Sequence, residues 1–179
     1  AAFVQELGHA FQEYGFVGVV NHGIPKDLVS RYYSESKAFF SLPTEIKSQY
    51  EIKGLAGQRG YTSFGKEHSK QSNVGDLKEF FQLVQIVPEG HPLKAEYPDN
   101  VQVKEVPAFT NTGIELYKAF EASGGQLLRA IALYLGLDED YFKEKIKEGN
   151  SILRAIHYPP ITQEPKSAIR AEQHEDINL

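Results

Sequence analysis

The sequence contains no cysteine. Disulfides and thiolate metal sites are therefore excluded, and the redox compartment cannot be read from cysteine usage. Methionine is absent too, the initiator included, so the chain is expected to be a processed or partly recorded piece of a longer protein. Its last residues, INL, stop in the middle of an apolar alternation and point the same way. No apolar run approaches the roughly 20 residues that span a bilayer. The first residues, AAFVQELGHAF, lack a basic leader and carry Glu6 and His9 inside their apolar pattern, unlike a secretory signal. The expectation is a cytoplasmic protein without a membrane partner. Positive charge is also in short supply: 19 Lys and Arg stand against 24 Asp and Glu, a formal charge of −5. With no basic surplus to neutralise phosphates, a nucleic acid is not the expected partner.

The 179 residues are 41% hydrophobic and 24% charged, enough for a soluble domain with a real core. Phe3, Val4, Leu7, Ala10, Phe11 and Tyr14 recur at helical spacing, with Gly15 as the stop. GFVGVV then reads as a short strand and NHGIP as a turn. Pro25 opens a second helix whose apolar stripe runs to Phe40. Residues 42–75 are loop-dominated, with a short element near Arg59-Gly60-Tyr61. Asp76 to Val87, dense in aromatic and β-branched residues, predicts a strand, and the four prolines between Pro88 and Pro107 a surface connection. Ala108 to Leu135 is a long helical pattern in which Gly124-Gly125 predicts a weak point or kink. A short amphipathic helix over Asp138–Lys147, a strand over SILRAIHYPP and further β structure in IRAEQHEDINL complete the pass. This order, mixed elements and a long helix leading into strands, reads as an α+β chain.

The chemistry concentrates in AEQHEDINL. His174 and Asp176 are two apart, so on an extended strand they point to the same face. A histidine and a carboxylate so placed form two corners of the 2-His-1-carboxylate triad that holds non-haem Fe(II) and leaves positions open for oxygen chemistry. Six histidines and 24 acidic residues would produce roughly 0.8 such pairs by chance. Spacing alone therefore leaves open that both are polar residues at a strand end or turn.

Context decides between these readings. NHGIP (Asn21 to Pro25), RGY (Arg59 to Tyr61), DLKEFF (Asp76 to Phe81), LRAIHYPP (Leu153 to Pro160) and HEDINL (His174 to Leu179) occur in one order. That set resembles the isopenicillin N synthase-like Fe(II) oxygenases, relatives of the 2-oxoglutarate-dependent dioxygenases, over almost the whole chain. The resemblance implies a double-stranded β-helix, or jelly-roll, core truncated in this chain. Residues 1–107 would be the N-terminal region, 108–148 the connecting helices, and 149–179 the start of the core. It implies that His174 and Asp176 are catalytic iron ligands and that Tyr158 binds a carboxylate of the co-substrate or substrate. Fe(II), 2-oxoglutarate and O2 are the implied cofactors, and a small organic molecule the substrate, with succinate and CO2 as co-products. One position departs from the plant pattern: Ile156 stands where many members carry Asn. The distal histidine ligand and the Arg-x-Ser clamp of the family would lie beyond residue 179.

A 2-oxoglutarate-independent oxidase and an ethylene- or succinate-forming variant share these features, and a non-catalytic chain with an incomplete metal site is the alternative outside enzymes. Glu175 should face away from the two ligands. His22 is expected to serve a turn, His157 to be structural, and His9, His68 and His91 to have no catalytic part. Arg154 is expected to pair with an acidic residue, and Phe80 and Phe81 to belong to the core.

Overall fold

The computed structural model describes residues 2–55, 57–67, 75–162, 164 and 169–170. Helix α1 spans Ala2–Tyr14, α2 Lys26–Phe40, and a single-turn α3 Thr44–Lys47. Strand β1 (Gly60–Thr62) and strand β2 (Glu79–Val84) follow, then the 26-residue helix α4 (Phe109–Tyr134), the short α5 (Lys143–Ile146) and strand β3 (Ile152–His157). The strands form one antiparallel sheet in the order β1-β2-β3. Elements of both types thus share one mixed α/β unit.

Register assigns every side chain to a face. Tyr61 lies opposite Phe81, and Glu79, Phe81 and Leu83 lie opposite His157, Ala155 and Leu153. Strand side chains alternate, so these share the face that meets α2 and α4. Phe39 of α2 is fully buried at the centre of that contact. Its ring stacks on Phe109 of α4 at 5.2 Å and meets Phe81 edge-on at 5.1 Å and Tyr61 at 5.7 Å. Each such pair adds about 0.5–1.5 kcal/mol beyond the apolar area it buries. The opposite face carries Thr62, Phe80, Gln82, Val84, Ile152, Arg154 and Ile156.

The connection after β2 is tied back by side chains. Asn100 accepts from the Val84 N–H and donates to the Val84 carbonyl, both at 2.9 Å, extending β2's pairing with a side-chain amide. Thr110 Oγ1 donates to the Val101 carbonyl at 2.8 Å and anchors the start of α4. At α4's other end, Tyr134 covers Gly8 of α1 and donates to Gln12 at 2.8 Å.

Several expectations change. GFVGVV forms no strand among the described residues, and Phe16 and Val20 are over 80% exposed. β-rich composition supplies no partner ladder, and the described strands pair elsewhere. The strand expected over Asp76–Val87 is confined to Glu79–Val84. Helix α4 runs through Gly124-Gly125 without a break; two glycines weaken a helix without ending it when the flanking turns are held. Of the helix expected over Asp138–Lys147, only Lys143–Ile146 is α-helical. Residues 171–179, with the expected β structure at HEDINL, lie outside the described residues.

Candidate active site

Strand β3 places the first candidate. Its outward face carries Arg154 and Ile156, and the next position in that alternation is Tyr158, 38% exposed and directly after the strand. The side chain of Ile156 cannot accept or donate the hydrogen bond an asparagine would, which leaves Tyr158 as the polar group at this end.

Tyr158 follows a firmly held residue. His157 stacks on Phe40 at 5.2 Å and its Nδ1 lies 2.7 Å from Glu79 Oε1. Glu79 is buried and also bonds both of its oxygens to Lys47 Nζ at 2.9 and 2.7 Å and accepts from the Tyr61 hydroxyl. Lys47 completes its own donors on the Phe40 carbonyl at 3.1 Å. Burial pushes the Glu79 carboxyl up, but the hydrogen bonds from Lys47, Tyr61 and His157 outweigh it and hold the group below the usual carboxylate range. Burial and the same carboxylate push the Tyr61 hydroxyl far up, so it remains a donor. One buried ion pair thus pins α3, β1, β2 and the end of β3 together. Sequence reading missed it: α3 lay inside a stretch read as loop. The available signal was an acidic residue opening EFFQLV, a run whose other residues are apolar apart from Gln82.

The same end of the sheet receives the chain that leads to His174. The Leu77 N–H donates to the Ile169 carbonyl at 2.8 Å. Because Glu79 is paired with His157, Leu77 lies at the Tyr158 end, and Ile169 precedes His174 by five positions. His174, Glu175 and Asp176 themselves lie outside the described residues, as does His68. Among the described residues, no group of three or more His, Asp or Glu could hold a metal ion.

A cleft of about 490 Å³ borders the outward face, with Thr62, Phe80, Glu67, Lys66, Lys53 and Glu51 among its walls. Arg154 touches two of these walls. Its guanidinium lies 4.4 Å from the centre of the Phe80 ring, and Nη1 bonds both oxygens of Glu67 at 3.1 and 3.3 Å. Glu67 is in turn 2.6 Å from Lys78, which is 2.8 Å from Asp76. Arg154 therefore does pair with an acidic residue, at a half-exposed position beside a cleft. Of the remaining candidates, His22 accepts the Ile24 N–H within the NHG turn, His9 pairs with Glu13 on α1, and His91 lies 3.1 Å from Glu148. Phe80 and Phe81 are both buried.

The family described as non-haem dioxygenase in morphine synthesis, N-terminal, matches residues 1–105. The chain belongs to that family. Among curated relatives, a proline hydroxylase of Petromyces alliaceus is 29% identical over 185 residues, covering 98% of this chain and 56% of the relative. Among solved structures, a protein of Caulobacter crescentus assigned to the 2OG-Fe(II) oxygenases is 41% identical, with a TM-score of 0.87 over 99% of this chain and 57% of that one. A full-length Neurospora crassa protein, solved in complex with alpha-KG, is 28% identical with a TM-score of 0.79, covering 97% and 55%. The chain spans about half the length of the curated relatives it matches. No helix among the described residues is long and apolar enough to cross a membrane.

Proposed function

We propose that the whole protein is a non-haem Fe(II)- and 2-oxoglutarate-dependent oxygenase acting on a small organic molecule. In this reading residues 149–179 begin a jelly-roll core, His174 and Asp176 are iron ligands, and Tyr158 hydrogen-bonds a carboxylate of 2-oxoglutarate. The observation that carries it is the bond from Leu77 to Ile169, which brings the chain leading to His174 back to the sheet end where Tyr158 stands. Imidazole nitrogen and carboxylate oxygen are suitable donors for Fe(II). Bound iron would supply oxygen activation coupled to decarboxylation of 2-oxoglutarate. The residues of this chain would hold two of the metal's positions, orient the co-substrate and shield the site from water. The likeness to a structure holding alpha-KG favours this over the 2-oxoglutarate-independent oxidase.

The test is anaerobic Fe(II) binding and succinate production from 2-oxoglutarate by the full-length protein. One iron per chain and succinate release are expected, with both lost in His174→Ala and Asp176→Ala. Unchanged iron affinity in either variant refutes the ligand assignment.

A further inference from the structure

We propose that His157 is a positioning residue for Tyr158, and that its hydrogen bond to Glu79 tunes the affinity of this site for 2-oxoglutarate. The inference rests on the oxygenase reading and deepens it by naming the group that aims the co-substrate's tyrosine. His157 is the last residue of β3 and pairs with Glu79, a register that would set residue 159 opposite Leu77. The ladder does not reach that far. Pro159 and Pro160 carry no N–H to offer it, and the Leu77 N–H donates to the Ile169 carbonyl instead. Among the described residues, pairing between β2 and β3 ends one residue short of Tyr158.

Side chains take over at that point. The hydrogen bonds on Glu79 keep its carboxyl ionised, and an ionised carboxylate only accepts, so His157 Nδ1 donates to Glu79 Oε1 at 2.7 Å. The imidazole also stacks on Phe40, with 26° between the planes. Both supports are themselves fixed. Glu79 and Phe40 are buried, and Lys47 bonds to the carboxylate of one and the backbone carbonyl of the other. On its far side, Tyr158 precedes Pro159, which confines its backbone to extended conformations. Tyr158 is thus held from both neighbours. Its hydroxyl lies at the end of a long side chain, so a small rotation of the strand end carries it off a bond that weakens steeply with distance and angle. Groups that bind a ligand need placing within roughly 0.5 Å. His157 faces the opposite side of the strand from Tyr158 and so acts through the backbone, without touching the co-substrate. Glu79 does not depend on it in return, since Lys47 and Tyr61 still hold the carboxylate when the imidazole is removed.

A double-mutant cycle on the full-length protein tests this, read by calorimetric titration of 2-oxoglutarate into the anaerobic, Fe(II)-loaded protein. Tyr158→Phe removes a hydrogen bond to a charged group and is expected to weaken binding roughly tenfold or more. His157→Phe keeps a ring for Phe40 but loses the donor, and should weaken binding roughly threefold or more. In the Tyr158→Phe background the same change should have no further effect, because the bond it aims is already gone. His157→Asn, which keeps a donor close to the position of Nδ1, should recover most of the affinity. His157→Gln, whose amide overshoots Glu79, runs the same cycle if His157→Phe does not fold. A merely structural histidine would weaken binding equally in both backgrounds. That additive outcome, full affinity in the donor-less variant, or no recovery in His157→Asn overturns the proposal. No 2-oxoglutarate binding by the wild type, or full affinity in Tyr158→Phe, marks failure of the oxygenase reading instead and takes the proposal with it.

Discussion

Glu79 shows how one side chain can tie distant parts of this chain together. Its carboxylate has three side-chain partners, drawn from α3, β1 and β3, and sits beneath a sheet otherwise packed with aromatic rings. A buried pair is costly to break because one charge is left without compensation, about 3–5 kcal/mol for loss of one partner. Lys47→Met should therefore lower unfolding free energy by roughly that amount, measured by urea titration. The pH dependence has a definite sign. The folded carboxyl titrates below its ordinary value, so the unfolded state binds more protons as pH falls through the region of about 4.3. The stabilisation is full above that pH and is lost progressively as pH drops towards the depressed folded value. Stability measured from pH 6 downward should fall less steeply in Glu79→Gln than in the wild type; identical slopes would assign acid sensitivity elsewhere. Glu51, also held low against the opposing effect of burial by Lys66 and Ser63, contributes a slope of the same sign that this variant leaves in place.

At the scale of the element, α4 carries three glycines with opposite meanings. A Cβ on Gly113 would run into Leu83 of β2 and the Tyr32 ring of α2, whereas a Cβ on Gly124 or Gly125 would meet open space. Gly113 is small because sheet and helices approach closely there. Gly113→Ala should destabilise by about 1–3 kcal/mol through overpacking, despite the better helix propensity of alanine. Gly124→Ala should stabilise by roughly 0.5–1 kcal/mol. Melting temperatures of the two variants should move in opposite directions, and a shared direction would contradict the packing assigned to Gly113. The helix itself was legible from its periodicity, but the consequence of its glycines was not. A glycine pair reads the same in sequence whether it bends a helix or rides on a straight one.

Across the whole molecule, the sheet draws together residues separated by nearly a hundred positions, and β2 is the strand paired on both sides. Every residue of β2 is buried. Amides of Glu79–Val84 should accordingly exchange with deuterium only at the global unfolding free energy, while β1, three residues long, and α5 open earlier. Exchange in β2 as fast as in α5 would show that the sheet is not the stable centre. The order of helices and the two longer strands could be read from the chain because periodicity is local. GFVGVV could not, because a strand exists only with a partner, and composition does not name one.

By itself, the sequence determined the family resemblance and the elements whose apolar spacing is regular. These depend on residue identity and short-range geometry, which the chain carries everywhere. Tertiary structure alone decided which face of β3 meets solvent, that Lys47 finds Glu79 across 32 positions, and that the Arg154 guanidinium lies 4.4 Å from the centre of the Phe80 ring. Antiparallel register sets those contacts, and a shift of one residue would send each of them to the other face of the sheet.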